Sequence, residues 1–223
     1  VRSVIVHPPL KKLILGILQD EELQPMLLVA AGAKSVHHAY CGGLLQHILA
    51  VCNLAMAIAD RYPNLDRQIL LAGAVCHDIG KLWEISSGLT PDYTDSGRML
   101  GHIQLGLQIM EPFMAKSGLE PELCLHLRHL VLSHHGLAEY GSPKPPMTAE
   151  ALVLHHADNI DAKLAQFEET LTGAAIEPGH WSPYQKFLER CLYAPVVTPA
   201  DASSRTKKKT GGKETQCSLL LKE

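Results

Sequence analysis

Thirteen histidines in 223 residues are the compositional excess that could carry chemistry, because imidazole is both the near-neutral proton carrier and the commonest metal ligand. The densest arrangement is His77-Asp78-Ile79-Gly80-Lys81. The apolar residues 69–76 before it read as a buried helix, so a His and an Asp at its end should be held rigidly. A buried carboxylate there needs a cation or hydrogen-bond donors. Neighbours on an ideal helix diverge by about 100°, so adjacent His and Asp serve one site most easily where the helix stops. Gly80 is expected to supply that stop. The other candidates are His47, His102, the pair His134-His135 and Asp158. Steps of 30, 24, 32 and 24 residues lead from 47 to 77, 78 to 102, 102 to 134 and 134 to 158, which puts each group on a different helix. Helices of a bundle can each aim one side chain inward, so the set can close around one or two divalent metal ions. Nitrogen and carboxylate donors without thiolate suit Mn²⁺, Fe²⁺, Co²⁺, Ni²⁺ or Zn²⁺.

The elements that must position these residues are helical nearly throughout. Leu44, Leu45, Ile48, Val51, Cys52, Ala55, Ile58 and Ala59 recur at helical spacing, entered through Gly42-Gly43 and ended at Tyr62-Pro63-Asn64. Further helices are expected over residues 66–77, from about 100, over 121–133, from 148 to about 171, and over 184–192. Pro145-Pro146 forbids an earlier start to the helix from 148. Only Trp83 to Ile85 and Tyr93-Thr94, around a Gly88/Pro91 turn, could pair as strands. The expected class is all-α, a helical bundle with at most one small β-hairpin. Residues 1–32 read as an N-terminal helical segment, 33–195 as the main domain, and 196–223 as a disordered basic tail rich in Pro, Ser, Thr, Lys and Gly.

With 46% apolar and 19% charged residues, the chain has the makeup of a globular domain, and disordered, collagen-like and membrane classes are excluded. The net charge of −3 hides an asymmetry: residues 201–223 carry six basic side chains against three acids, leaving residues 1–200 at −6. An acidic body that handles a phosphate ester needs bound cations to reverse the local field. Six cysteines without a C-x-x-C pair point to a reduced, cytoplasmic setting. Leu13 to Leu18, the longest N-terminal apolar run, is too short for a signal sequence or a membrane span. No membrane partner is expected.

The order His47, His77-Asp78 with Gly80-Lys81, then Asp158 resembles the H…HD…D pattern of the HD-domain metal-dependent phosphohydrolases. A closer likeness runs through residues 33–47, Tyr93-Thr94-Asp95, Leu100-Gly101-His102-Ile103, residues 129–136, Gly141-Ser142-Pro143-Lys144 and residues 158–163. These look like the HD domain of YhaM-type 3′→5′ exoribonucleases, over roughly residues 33–193. The resemblance implies an HD-domain bundle and an enzyme: a phosphodiesterase or exonuclease acting on 3′ ends of single-stranded RNA or DNA through water activated by divalent cations, manganese among them. A nucleotidase or nucleotide phosphohydrolase is the alternative within enzymes, and a non-hydrolytic metal- or nucleotide-binding module the alternative outside them.

By that resemblance His47, His77, Asp78 and Asp158 are ligands of a first metal. His102 and His134 serve a second, with Asp78 bridging and His135 an extra candidate ligand. Lys81 is the leading group for transition-state charge, ahead of Lys144 and Lys34, and His37 and His38 are candidate substrate contacts. YhaM-type enzymes carry an N-terminal OB-fold that holds single strands, whereas residues 1–32 read as helical, so no OB-fold is expected within this chain. Among the other histidines, His126 and His129 read as a solvated or partly buried face. His155, one turn before Asp158, either orients that carboxylate or packs. His7 and His180 are expected to do nothing specific.

Overall fold

The computed structural model describes residues 1–34, 40–86, 91–173 and 176–196. Among these residues the architecture is eight α-helices and one 3₁₀ turn. The helices are α1 (Pro8–Leu18), α2 (Leu23–Val29), α3 (Gly43–Arg61), α4 (Arg67–Cys76), α5 (Lys81–Glu84), α6 (Asp95–Ser117), α7 (Pro121–Ser133) and α8 (Ala149–Gly173), with the 3₁₀ turn at Ala138–Tyr140. The chain divides into two compact units, residues 1–166 and 167–223.

In the first unit α4 is the central element. Every residue from 69 to 76 is buried, and a helix apolar on all sides must be surrounded. It packs against α3, α7 and α1. Its start is fixed by Asp66, whose carboxylate accepts from the Gln68 and Ile69 amides at 2.8 and 3.2 Å. The Asp66 amide in turn donates to Glu150 Oε1 at 2.9 Å, which ties the first turn of α8 to the first turn of α4. α3 is long and apolar enough to cross a membrane by length and composition. Here it buries Leu44, His47, Ile48, Val51, Cys52, Ala55 and Ala59 along one stripe. Residues 1–32 form α1 and α2, whose Leu10, Leu13, Ile14, Ile17, Leu23 and Leu27 join the same core as α3, α4 and α7.

Two glycines decide the geometry around the candidate site. α4 ends at Cys76, one residue before His77, so it stops without the left-handed glycine expected at position 80. Gly80 has helical angles (φ −66°, ψ −17°). Its requirement is steric: a Cβ there would stand 1.9 Å from the His102 carbonyl oxygen and 2.4 Å from the Gly106 amide nitrogen, so the loop after α4 meets α6 backbone to backbone. Gly101 breaks α6 with φ 71° and ψ 160°, a conformation open essentially to glycine alone. The helix expected from about residue 100 therefore begins at Asp95, capped by the Thr94 hydroxyl, and restarts at His102 on a new axis.

Among the described residues the small hairpin allowed for at Trp83–Thr94 is present as one antiparallel bridge, Ile85 with Tyr93, next to the short helix α5. One further expectation is corrected. In the second unit, residues 184–192 form a turn closed by the bridges Gln185–Arg190 and Trp181–Tyr193 instead of a helix; Glu189 takes a positive φ of 53°, which a helix does not allow. The expected tail lies almost wholly outside the described residues.

Gly80→Ala should destabilise the chain by about 1–3 kcal/mol, the usual cost of forcing volume into a packed region. Urea unfolding checks this, and a stability equal to the parent's would contradict the backbone contact described here.

Candidate metal centre

Six of the residues singled out by spacing converge in the first unit. His47 comes from the buried stripe of α3, His77 and Asp78 from the end of α4, His102 from the restart of α6, His134 from the end of α7, and Asp158 from the third turn of α8. Asp78 is the centre of the arrangement. Its Oδ2 lies 3.3 Å from His47 Nε2 and 3.5 Å from His77 Nε2, while its Oδ1 lies 3.5 Å from His102 Nε2 and 3.7 Å from His134 Nε2. Two donor groups result, His47-His77-Asp78 and His102-His134-His135, each with ligand atoms within 4.8 Å of one another. Asp158 completes the first, with Oδ1 3.2 Å from His47 Nε2 and 3.9 Å from His77 Nε2.

The imidazole tautomers follow from their partners, because a carbonyl or carboxylate only accepts. His77 Nδ1 donates to the Ala74 carbonyl at 2.8 Å, and His134 Nδ1 to the Val131 carbonyl at 2.7 Å. Each histidine ends its helix and uses a carbonyl of the last turn that has no amide partner within the helix. His47 Nδ1 donates to Asp161 Oδ2 at 2.7 Å, His135 Nδ1 to the Tyr140 carbonyl at 2.7 Å, and His102 Nδ1 to Glu84 Oε1 at 3.3 Å. The same Glu84 oxygen accepts the His102 amide at 3.0 Å and so caps the second half of α6 as well. In all five rings Nδ1 is occupied, and in His47, His77, His102 and His134 Nε2 faces Asp78.

The fit to a cation can be tested on these distances. Ligand atoms about 2.0–2.2 Å from a first-row cation stand about 3.0–3.6 Å apart in tetrahedral or octahedral shells, and His47 and His77 Nε2 are 3.2 Å apart, His102 and His134 Nε2 3.4 Å. Two imidazole nitrogens facing each other at this range repel unless a proton or a cation lies between them. In the first group the surrounding carboxylates favour a proton on His47. Burial pushes His47 down, but hydrogen bonds to Asp158, Asp161 and Asp78 outweigh it and raise its pKa from 6.5 to about 11. In the second group burial and the neighbouring histidines hold His134 well below its usual value, and burial and His102 lower His135, so both favour the unprotonated form that a cation takes. Asp78 Oδ1 is correspondingly a buried oxygen with no hydrogen-bond partner. Burial opposes ionisation of Asp78 and Asp158, yet Lys81 and His77 around the former, and the His47 hydrogen bond to the latter, hold both carboxyls below the usual range. The donor set thus fits divalent cations.

Lys81 Nζ is 2.7 Å from Asp78 Oδ2 with only 15% of its side chain exposed. Of the lower-ranked lysines, Lys34 pairs with Asp92 at 2.7 Å over the Tyr93 ring, and Lys144 is exposed and enters neither donor group. His37 and His38 lie outside the described residues. His155 Nδ1 donates to the His134 carbonyl at 2.8 Å, so it fixes the α7 terminus instead of Asp158. His126 meets Thr148 and Glu150, His129 accepts the Met147 amide, and His7 caps α1. Sequence reasoning missed Glu84 and Asp161 as holders of ligand histidines. Asp161 stands one turn after Asp158 on α8, and that i, i+3 pair of acids was the available signal.

The HD domain family matches residues 44–163, more than half the chain and all of the helices that carry the site, and the chain belongs to that family. It is 43% identical over 167 residues to the 3′-5′ exoribonuclease YhaM of Bacillus velezensis, covering 74% of this chain and 52% of that protein. It is 39% identical over 191 residues to the 3′-5′ exoribonuclease YhaM of Bacillus subtilis, covering 85% and 60%. The similarity to the YhaM protein of a Geobacillus species is 40% over 193 residues, covering 86% and 58%. The chain thus spans between half and three-fifths of the length of these relatives. No solved structure matches.

Asp161→Asn and Glu84→Gln should each weaken divalent-cation binding about 10–100-fold, the usual effect of freeing a ligand histidine, with titration calorimetry as the readout and unchanged helicity as the control. Because His47 titrates near 11, a cation that takes its Nε2 must expel a proton at neutral pH. Below pH 11 that proton competes, so apparent affinity should rise with pH across 6.5–11, and calorimetry in two buffers of different ionisation enthalpy should show about one proton released per first-site ion.

Proposed function

We propose that this chain is a metal-dependent phosphodiesterase that removes nucleotides from the 3′ end of single-stranded RNA. The observation that carries the reading is the shared Asp78 carboxylate, with one oxygen on each donor group and the outer one buried without a hydrogen bond. Relatives of the HD family named as 3′-5′ exoribonucleases match the region that holds it.

In this reading His47, His77, Asp78 and Asp158 would hold one ion, and Asp78 with His102, His134 and His135 a second. Manganese and the other first-row divalent ions suit donors of this kind. Such ions supply Lewis acidity to a phosphodiester and lower the pKa of the water they bind. Asp161, Glu84, Ala74, Val131 and Tyr140 hold the rings so that only Nε2 is presented. Lys81 fixes Asp78 through one of the three donors of its ammonium, and the others are available to a non-bridging substrate oxygen, where the positive charge counters what develops on phosphorus. The acidic surface of the body favours cations first, and the ions then draw the phosphate in.

A 5′-labelled single-stranded oligoribonucleotide incubated with the purified chain and Mn²⁺ should yield a ladder shortened from the 3′ end. His77→Ala and Asp78→Ala should slow it by more than about a hundredfold, beyond the loss from freeing a ligand histidine. Unchanged cleavage in folded variants, or phosphate release from mononucleotides alone, would overturn the reading.

A further inference from the structure

Beside the His102-His134-His135 group the surface folds into a cleft of about 460 Å³, within the range of small-molecule sites. Met99 and Leu100 form its lip before the Gly101 break, Gln104 lies one turn further along α6, and Leu132, Tyr140 and Pro143 line it from α7 and the following segment. His102 and His135 belong both to the cleft and to the donor group, so whatever fills the cleft adjoins the ester held at the ions.

The chemistry of the lining selects the occupant. Met99 is 83% exposed, Leu100 49% and Tyr140 54%, a cluster of large apolar side chains left in water beside a polar centre. Such a cluster marks a contact surface. Among the described residues no lysine or arginine lines the cleft, which disfavours a second phosphate and favours an uncharged group. The polar side chains besides the imidazoles are the Gln104 amide and the Tyr140 phenol, each of which both donates and accepts. A flat heteroaromatic ring with hydrogen-bonding edges meets all three conditions. Tyr140 is also held in place: its amide donates to the Leu137 carbonyl at 3.0 Å, and its own carbonyl accepts from His135 Nδ1 at 2.7 Å. One residue thus holds a ring of the donor group through its carbonyl and also lines the cleft.

We propose that this cleft is the subsite for the 3′-terminal nucleobase, with Tyr140 as its stacking face and Gln104 as the partner of the base edge. The inference rests on the 3′-exonuclease reading and adds the part of the substrate that the metal centre alone does not recognise.

The test uses metal-loaded chain and 5′-fluorescein oligonucleotides whose last linkage is a phosphorothioate, ending in either an ordinary or an abasic 3′ nucleotide, with anisotropy as the readout. The parent should bind the base-bearing end about tenfold tighter, in line with base stacking on an aromatic ring. Tyr140→Ala should erase that preference by weakening the base-bearing end alone, Tyr140→Trp should retain it, and the exposed Gln104→Ala should lose discrimination among the four bases while still preferring a base to none. Equal binding of both ends by the parent would overturn the proposal, as would a Tyr140→Ala variant that weakens both ends alike. Turnover of the all-phosphate strand tests the exonuclease reading separately: no shortening, with the base preference intact, sinks that reading and upholds the subsite.

Discussion

A carboxylate that is 2% exposed at the end of an all-buried helix is the constraint around which the first unit is arranged. An ionised Asp in that position is tolerable only if positive charge or donors surround both oxygens. For Asp78 Oδ2 the chain supplies them: the Lys81 ammonium and the His47 imidazole, whose pKa the surrounding carboxylates raise. Oδ1 has no hydrogen-bond partner, and the Nε2 atoms of His102 and His134 stand 3.5 and 3.7 Å from it. The site is therefore balanced on one side and electrostatically incomplete on the other. The difference is one that positive charge beside Oδ1 would remove.

The helices contribute to that balance through their ends. α4 and α7 each finish at a histidine whose Nδ1 bonds a carbonyl of the last turn, so an otherwise unsatisfied helix terminus becomes the orienting partner of a ligand ring. α6 contributes by interruption. Its break at Gly101 frees the His102 amide, and Glu84 takes up amide and ring together. Capping, tautomer choice and ligand placement are here the same hydrogen bonds. A substitution at Glu84 is therefore a change in helix geometry as well as in the orientation of His102.

Much of this was legible from residue order. His47, His77, Asp78, His102, His134 and Asp158 stood out because their types are scarce in apolar helices and their spacing assigned them to five different helices, with His77 and Asp78 together on one. The long helices were legible for the same reason, a repeating stripe. What escaped were contacts that no local pattern encodes. Glu84 looked like part of a strand, and its role depends on a break 17 residues later. Gly80 was assigned the commonest task of a glycine after a helix, whereas its neighbour in space is a carbonyl from residue 102. Residues 184–192 carry enough apolar side chains for a short helix, yet cross-turn pairing prevailed there.

The approach of Gly80 to His102 and Gly106 has a bearing on how the centre can vary over time. Where two segments touch through side chains, their spacing drifts with every change of volume in the core. Here they touch through main-chain atoms, whose dimensions no substitution alters except one at Gly80 or Gly106. The separation of the His77 and His102 groups is thus a fixed gauge, and the surrounding core is free to diverge in sequence without resetting it.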